Sequence, residues 1–313
     1  MSIRLLVIVG PNASGKTRLG VDVAHALGSE IISADSRQVY RGLDIGSGKD
    51  LEDYSRVSPP VPYHLIDVAE PDTIYALFHY QRDCYRLLER KAGERPCVDG
   101  VPLVMVGGTG LYVEAILRGY RMANVPEDVE LREALMQREH EELIDELQRV
   151  VPDLASRTDC SSKKRVVRAL EVAEYARDHE VQYSEPPPVA IEHAVYGIEI
   201  ERDELHCRID GRLAARMDEG LLAEVQGLLD AGVTPARMGM LGLEYREVTA
   251  LLTGTKSEQQ MTDDLRRGIR RLAKRQMTWF RGLPRRGIEV TWIGPDDLDA
   301  VLEHPWCGTV GGG

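Results

Sequence analysis

Apolar positions in the first third of the chain come in short unbroken runs separated by stretches with helical spacing. Leu5 to Val9 is such a run, and residues 4–9 are predicted to form a buried strand. Residues 16–27 follow a Gly-rich turn with the spacing of an amphipathic helix. A second strand is expected from Glu30 to Ala34, ending at Asp35, and a third short run spans Tyr63 to Val68. The stretch 74–91 reads as a helix, Leu103 to Val106 as a fourth strand closed by Gly107-Gly108, and 110–117 as a helix. Strands alternating with helices predict an α/β layer fold with a parallel sheet and crossover connections.

The pattern then changes. One long polar helix is predicted over 127–150, with acids at 127, 128, 130, 133, 139, 141, 142, 145 and 146, and a second over 162–177. Pro186-Pro187-Pro188 marks a linker, after which Ala194 to Ile200 resumes the strand pattern and is expected to join the same sheet. Helices are predicted at 202–217, 219–231, 244–253 and 257–281, and a last strand at 288–293. The division expected is a core over 1–120 and 191–295, a helical insertion over 121–190, and a tail over 296–313 whose Gly-rich end has too little side-chain surface to order.

Composition narrows the class. The 313 residues carry Lys+Arg 39 against Asp+Glu 51, a net charge of −12, which on its face disfavours a polyanionic partner. The five cysteines form no C-x-x-C pair, so neither a disulfide framework nor a zinc ribbon is expected. No apolar run approaches the roughly 18 residues that span a bilayer. The run Leu5 to Val9 leads into a Gly-rich turn rather than a cleavage site, so it is not read as a signal peptide. The expected compartment is the cytoplasm, and the expected state a monomer without membrane contact.

Gly10-Pro11-Asn12-Ala13-Ser14-Gly15-Lys16-Thr17 fits G-x-x-x-x-G-K-[ST] between a strand and a helix. Such a loop aims successive backbone N–H groups at phosphate oxygens, and the helix N-terminus adds its dipole. Lys16 would neutralise phosphate charge and the Thr17 hydroxyl would ligate Mg²⁺. The motif selects a di- or triphosphate, ATP among them, without naming it. A Walker-B acid is missing, because the fourth strand runs into Gly107-Gly108-Thr109. The acid that ends a strand is Asp35, where a carboxylate faces the ligand crevice and can serve as a general base. Capping its own loop is the competing role for Asp35. Thr109 can donate to a leaving-group oxygen or cap the following helix.

The net charge is unevenly placed. Between Leu265 and Arg286 stand nine basic residues and no acid, with Arg267, Arg270, Arg271, Lys274 and Arg281 along one helical flank and Arg275 beside them. This is the footprint of polyphosphate binding, or else a solvated face paired with the acidic insertion. A second cluster, Lys163-Lys164-Arg165 with Arg168, opens a helix whose dipole it opposes.

Together these residues resemble the tRNA dimethylallyltransferases, or tRNA isopentenyltransferases, of the IPP transferase family. GPNASGKT, ISADSRQVYRGLDIGS, YHLID, VGGTGLY, KRVVRALEV, HCRIDGRLAARMDEGLLAEV and RRLAKRQMTWFRG occur in the family's order over about residues 4–293. The resemblance implies a P-loop NTPase-like core with a helical insertion. It implies a prenyl transfer from dimethylallyl diphosphate, with Mg²⁺, to the exocyclic N6 of the adenosine 3′ of the tRNA anticodon, a base flipped from its stack. Asp35 would be the base and Thr109 a catalytic diphosphate contact. Gly10, Asn12, Ala13, Ser14, Gly15, Lys16, Thr17 and Arg212, with Arg208 as the alternative to Arg212, would hold the diphosphate. Ser36, Arg37, Gln38, Lys164, Arg165 and Arg168 would contact tRNA in the anticodon stem-loop, as would Lys274 and Arg275 from the basic helix.

The chain departs from the family pattern at two places. Leu243-Glu244-Tyr245 stands where Gly-Tyr is usual, putting an acid in a segment expected near RNA. Gly46-Ser47-Gly48-Lys49-Asp50 stands for the common Gly-Thr-Ala-Lys-Pro. Only Cys307 and His304 remain in the tail, too few for the zinc finger of eukaryotic relatives. A small-molecule or nucleotide kinase and a non-catalytic RNA-binding module are the competing functions.

Overall fold

The computed structural model describes residues 2–94 and 100–308. Cys97 and residues 309–313 of the Gly-rich end that is expected not to order lie outside them. The chain divides into two compact units, Met1–Gly119 with Pro187–Gly313, and Tyr120–Pro186.

The first unit begins with β1 (Ser2–Val9), α1 (Lys16–Ala26), β2 (Ile31–Ser33), α2 (Leu51–Ser55), β3 (Tyr63–His64), α3 (Leu77–Glu94), β4 (Leu103–Gly107) and α4 (Gly110–Arg118). The second unit holds α5 (Val129–Gln137), α6 (His140–Val150), α7 (Pro152–Ala155) and α8 (Lys163–Asp178). The first resumes with β5 (Ala190–Ile198), α9 (Arg202–Glu219), α10 (Leu221–Asp230), α11 (Pro235–Leu241), α12 (Leu243–Leu252), α13 (Glu258–Arg281), β6 (Thr291–Ile293) and α14 (Leu298–Leu302).

The expected parallel sheet is present: six strands in the order β3-β2-β4-β1-β5-β6, every pairing parallel. β1 lies between β4 and β5 and is apolar on both faces because both are covered. Leu5, Val7 and Val9 pack with Tyr80 and Tyr112 on one side, while Leu6 and Ile8 pack with Leu19 and Val23 on the other. A third core joins α9 to α13 beneath the loop after β2, through Val39, Leu43, Leu213, Tyr245 and Leu265.

Four differences from the sequence reading have physical causes. The run 63–68 yields only a two-residue strand, because Leu65 and Asp67 take positive φ. β5 starts at Ala190, four residues early, where Ser2↔Ala190 pairing extends it along β1. Helix 219–231 begins at Leu221, after Gly220 ends α9 in the left-handed region. The helix expected over 127–150 is two, α5 and α6, broken at Arg138 and Glu139. No Gly or Pro marks that break. The stop is supplied from α8: the Lys163 ammonium donates to the carbonyls of Met136, at 2.9 Å, and Arg138. These are free carbonyls at a helix C-terminus, where a cation is favoured. Lys163 therefore has a structural task at the start of α8.

Candidate active site

Three adjacent strands deliver the candidate chemistry from their C-terminal ends. β1 leads into the phosphate loop, β2 into Asp35, and β4 into Thr109. The β2 and β4 ends are pressed together: the Thr109 N–H donates to the Ala34 carbonyl at 3.1 Å, and any Cβ on Gly107 would run into that carbonyl. Thr109 occupies the N-cap position of α4, yet its hydroxyl caps no helix N–H. It accepts from the Ser36 N–H at 3.0 Å and donates to the Ser36 hydroxyl at 3.2 Å. Asp35 is buried and does cap its own loop, one oxygen accepting from the Arg37 N–H at 3.0 Å. That bond fixes the carboxylate and leaves its second oxygen for chemistry, so the two roles weighed for Asp35 are compatible.

The phosphate loop has the form its sequence predicts. Ala13 and Gly15 take positive φ, and α1 starts at Lys16. The Ser14 hydroxyl is fully buried with no partner among the described protein atoms. An orphaned hydroxyl of this kind costs about 1–3 kcal/mol. Burial pushes the Lys16 ammonium down to about 8 against the pull of Asp35. The Thr17 hydroxyl makes no hydrogen bond among the described residues, and no cluster of three His, Cys, Asp or Glu side chains that could hold a metal occurs there. That donor set suits Mg²⁺, which takes few protein ligands and completes its shell with phosphate oxygens and water.

α9 lays Arg208, Arg212 and Arg216 at spacings of four along the face toward this loop. A Cβ on Gly15 would stand 3.8 Å from Arg208, and Arg212 and Arg216 share a small cavity with Asn12 and Ala13. Arg212 pairs with Asp50. Burial, with Arg212 beside it, pushes the Arg216 guanidinium down to about 10.

A cavity of about 700 Å³ adjoins the site, lined among others by Ser36, Arg37, Tyr40, Met240, Arg271 and Arg275. Arg271, Lys274 and Arg275 have no acid partner among the described residues. Their neighbours on α13 do: Arg267 with Asp264, Arg270 with Asp210 at 2.6 Å, and Arg281 with Glu199 at 2.9 Å. The pairing acids come from α9, Glu199 and α13 itself, rather than from the acidic insertion that the sequence suggests as the alternative to polyphosphate binding.

Glu244 does not confront the cavity. It is fully buried and pairs with Arg37 at 2.7 Å and Arg216 at 3.4 Å. Gln38 is buried, its amide committed to the Ser33 hydroxyl and the Gly48 carbonyl, both at 2.9 Å. In the second unit Lys164 and Arg165 are exposed, Arg165 pairing with Asp159, and Arg168 donates to the Val125 carbonyl at 2.6 Å.

Sequence reasoning missed Gln276. Its Oε1 accepts from the Asn12 N–H at 2.9 Å, and its Nε2 donates to the Asn12 Oδ1 at 3.1 Å and the Gly108 carbonyl at 3.0 Å. One side chain from α13 thereby ties the phosphate loop to the Gly-Gly-Thr turn. Its only signal was an uncharged amide side chain inside the basic run.

The family model described as IPP transferase matches residues 38–283, and that described as isopentenyl transferase matches residues 3–56. A tRNA dimethylallyltransferase of Porphyromonas gingivalis is 44% identical over 95% of this chain and 94% of its own. One from Syntrophus aciditrophicus is 44% identical over 97% and 98%. The full-length tRNA isopentenylpyrophosphate transferase of Bacillus halodurans superposes with a TM-score of 0.66 at 31% identity, over 96% of this chain and 93% of that one. A eukaryotic dimethylallyltransferase solved while acting on tRNA shares the fold, with a TM-score of 0.70 at 19% identity over 97% and 76%.

Proposed function

The chain belongs to the IPP transferase family, and we propose that it transfers the dimethylallyl group of dimethylallyl diphosphate to the exocyclic N6 of the adenosine 3′ of the anticodon in tRNA. One observation supports the assignment of roles: Lys16, Asp35 and Thr109 stand just beyond the C-terminal ends of three adjacent strands, β1, β2 and β4. The kinase reading shares the phosphate loop but is not favoured, because the curated relatives are prenyl-transferring enzymes.

In this reading the phosphate-loop N–H groups, Lys16 and Arg212 bind the diphosphate, and Thr109 orients it. The adenine amine attacks the allylic carbon, the carbon–oxygen bond breaks, and its electron pair leaves on the diphosphate. Charge grows on oxygens that fixed donors already face. The free oxygen of Asp35 takes the N6 proton. Mg²⁺, held by Thr17 and the diphosphate, would neutralise leaving-group charge. Ser36, Arg37, Arg271 and Arg275 line a space of the size and charge a splayed nucleotide needs. Among the described residues no helix is long and apolar enough to cross a membrane, and the proposed place of action is the cytoplasm.

The test is incubation with unmodified tRNA and dimethylallyl diphosphate, followed by nucleoside mass analysis. An isopentenyl adduct on adenosine is expected. ATP turnover without the prenyl donor would instead support the kinase. Asp35→Asn keeps the bond to the Arg37 N–H and should slow single turnover by about 10²–10⁴-fold while tRNA still binds. An unchanged rate would remove Asp35 from the role of base.

A further inference from the structure

The two places where the chain leaves the family pattern meet in space. Glu244 reaches Arg37 and Arg216, while Asp50 pairs with Arg212, one turn from Arg216 on α9. Gly48 stands between: a Cβ there would lie 2.7 Å from the Arg212 guanidinium and would run into that of Arg216. The loop that carries Asp50 is anchored from two sides. Glu224 accepts from the N–H groups of Asp44, Ile45 and Gly46 at 2.9, 2.6 and 2.9 Å, and Gln38 holds the Gly48 carbonyl. Asp50 itself sits in the left-handed region at φ 48°, a conformation held by its surroundings.

The two acids differ in what they can release. Glu244 is sealed between two guanidiniums. The Asp50–Arg212 pair is about one-third exposed, at 38% and 31%, so solvent and ligand can reach it. Its field also reaches Lys16.

Resting on the donor reading above, we propose that Asp50 is a stand-in anion that holds Arg212 until diphosphate displaces it, and so sets how tightly this enzyme grips the donor and the diphosphate product. Arg212 exchanges one anion for another, and the displaced carboxylate then faces like charge on the ligand. Both effects weaken the complex relative to an unoccupied Arg212. The gain is that Arg212 stays oriented against the anchored loop of Asp50, and that diphosphate leaves readily after transfer.

The test is calorimetric titration of the full-length protein with inorganic pyrophosphate, with and without Mg²⁺. Asp50→Ala should bind pyrophosphate about three- to tenfold more tightly. Most of that gain should vanish in an Arg212→Met background, which separates exchange at Arg212 from simple repulsion by Asp50. Equal or weaker binding by Asp50→Ala overturns the proposal, as does a gain fully retained without Arg212. A wild type that binds no pyrophosphate overturns the donor reading itself, so the two failures are distinguishable. Asp50 is exposed and its side chain caps no helix N–H, so the variant is expected to fold; an unchanged circular dichroism melt checks this.

Discussion

At the scale of single residues, the site is a set of charges whose partners decide their behaviour. Lys16 titrates near 8 in the free protein because burial outweighs Asp35. A bound diphosphate raises that value, so binding above pH 8 must take up a proton. The expected result is pyrophosphate affinity that falls up to tenfold per pH unit above about 8, beyond any change shown by Lys16→Arg, which does not titrate there. Calorimetry without metal, in two buffers of different ionisation enthalpy, would read the proton uptake directly. Gln276 makes a second prediction. Gln276→Leu should lower kcat about 10- to 100-fold with the KM for tRNA little changed, because the phosphate loop and Thr109 lose their common brace. The loss should be non-additive with Thr109→Ala; full additivity would mean that Gln276 acts elsewhere. Local spacing made Lys16, Asp35 and Thr109 legible in the sequence. Glu244 was not, because an acid in a segment expected near RNA looks misplaced until Arg37, 207 positions away, is seen to pair with it.

At the scale of elements, the strands and the phosphate loop were readable because each depends on a few consecutive residues. The break between α5 and α6 was not, since its cause is a lysine 25 residues away from the carbonyl it satisfies. α13 shows the same limit. Its charges form a regular stripe in sequence, and only the structure sorts them into paired and free. That sorting predicts tRNA binding. Replacing Arg271 and Arg275 together by Gln should reduce the salt dependence of tRNA affinity by roughly 1.4–1.8 in log–log slope, if each meets one phosphate. Replacing Arg270 and Arg281, already paired with Asp210 and Glu199, should change it far less. Equal effects from the two pairs of variants would mean that these ion pairs open on binding.

At the scale of the molecule, each unit has a core of its own. Leu135, Leu143, Leu147, Val166, Val167 and Leu170 pack within Tyr120–Pro186, and a buried Glu171 is clasped by Arg132 at 3.1 and 2.6 Å. The ends of that segment are tied, Asn124 N–H to the Gln182 carbonyl and Ser184 N–H to the Met122 carbonyl, both at 2.8 Å. A fragment spanning 120–186 should therefore stay helical and melt cooperatively by circular dichroism, though at modest temperature for its size. A non-cooperative melt would show that this core needs the rest of the chain. The strand order carries a consequence for synthesis. β1 is made first, yet one flank awaits β4 and the other awaits β5, which is translated only after the whole second unit. During the roughly 90 residues between the end of β4 and the end of β5, about 5–20 s of ribosome time, β1 has one open edge. The nascent chain must keep that apolar edge from pairing with a neighbour, and the helical unit emerging in the interval is ready to fold while it waits.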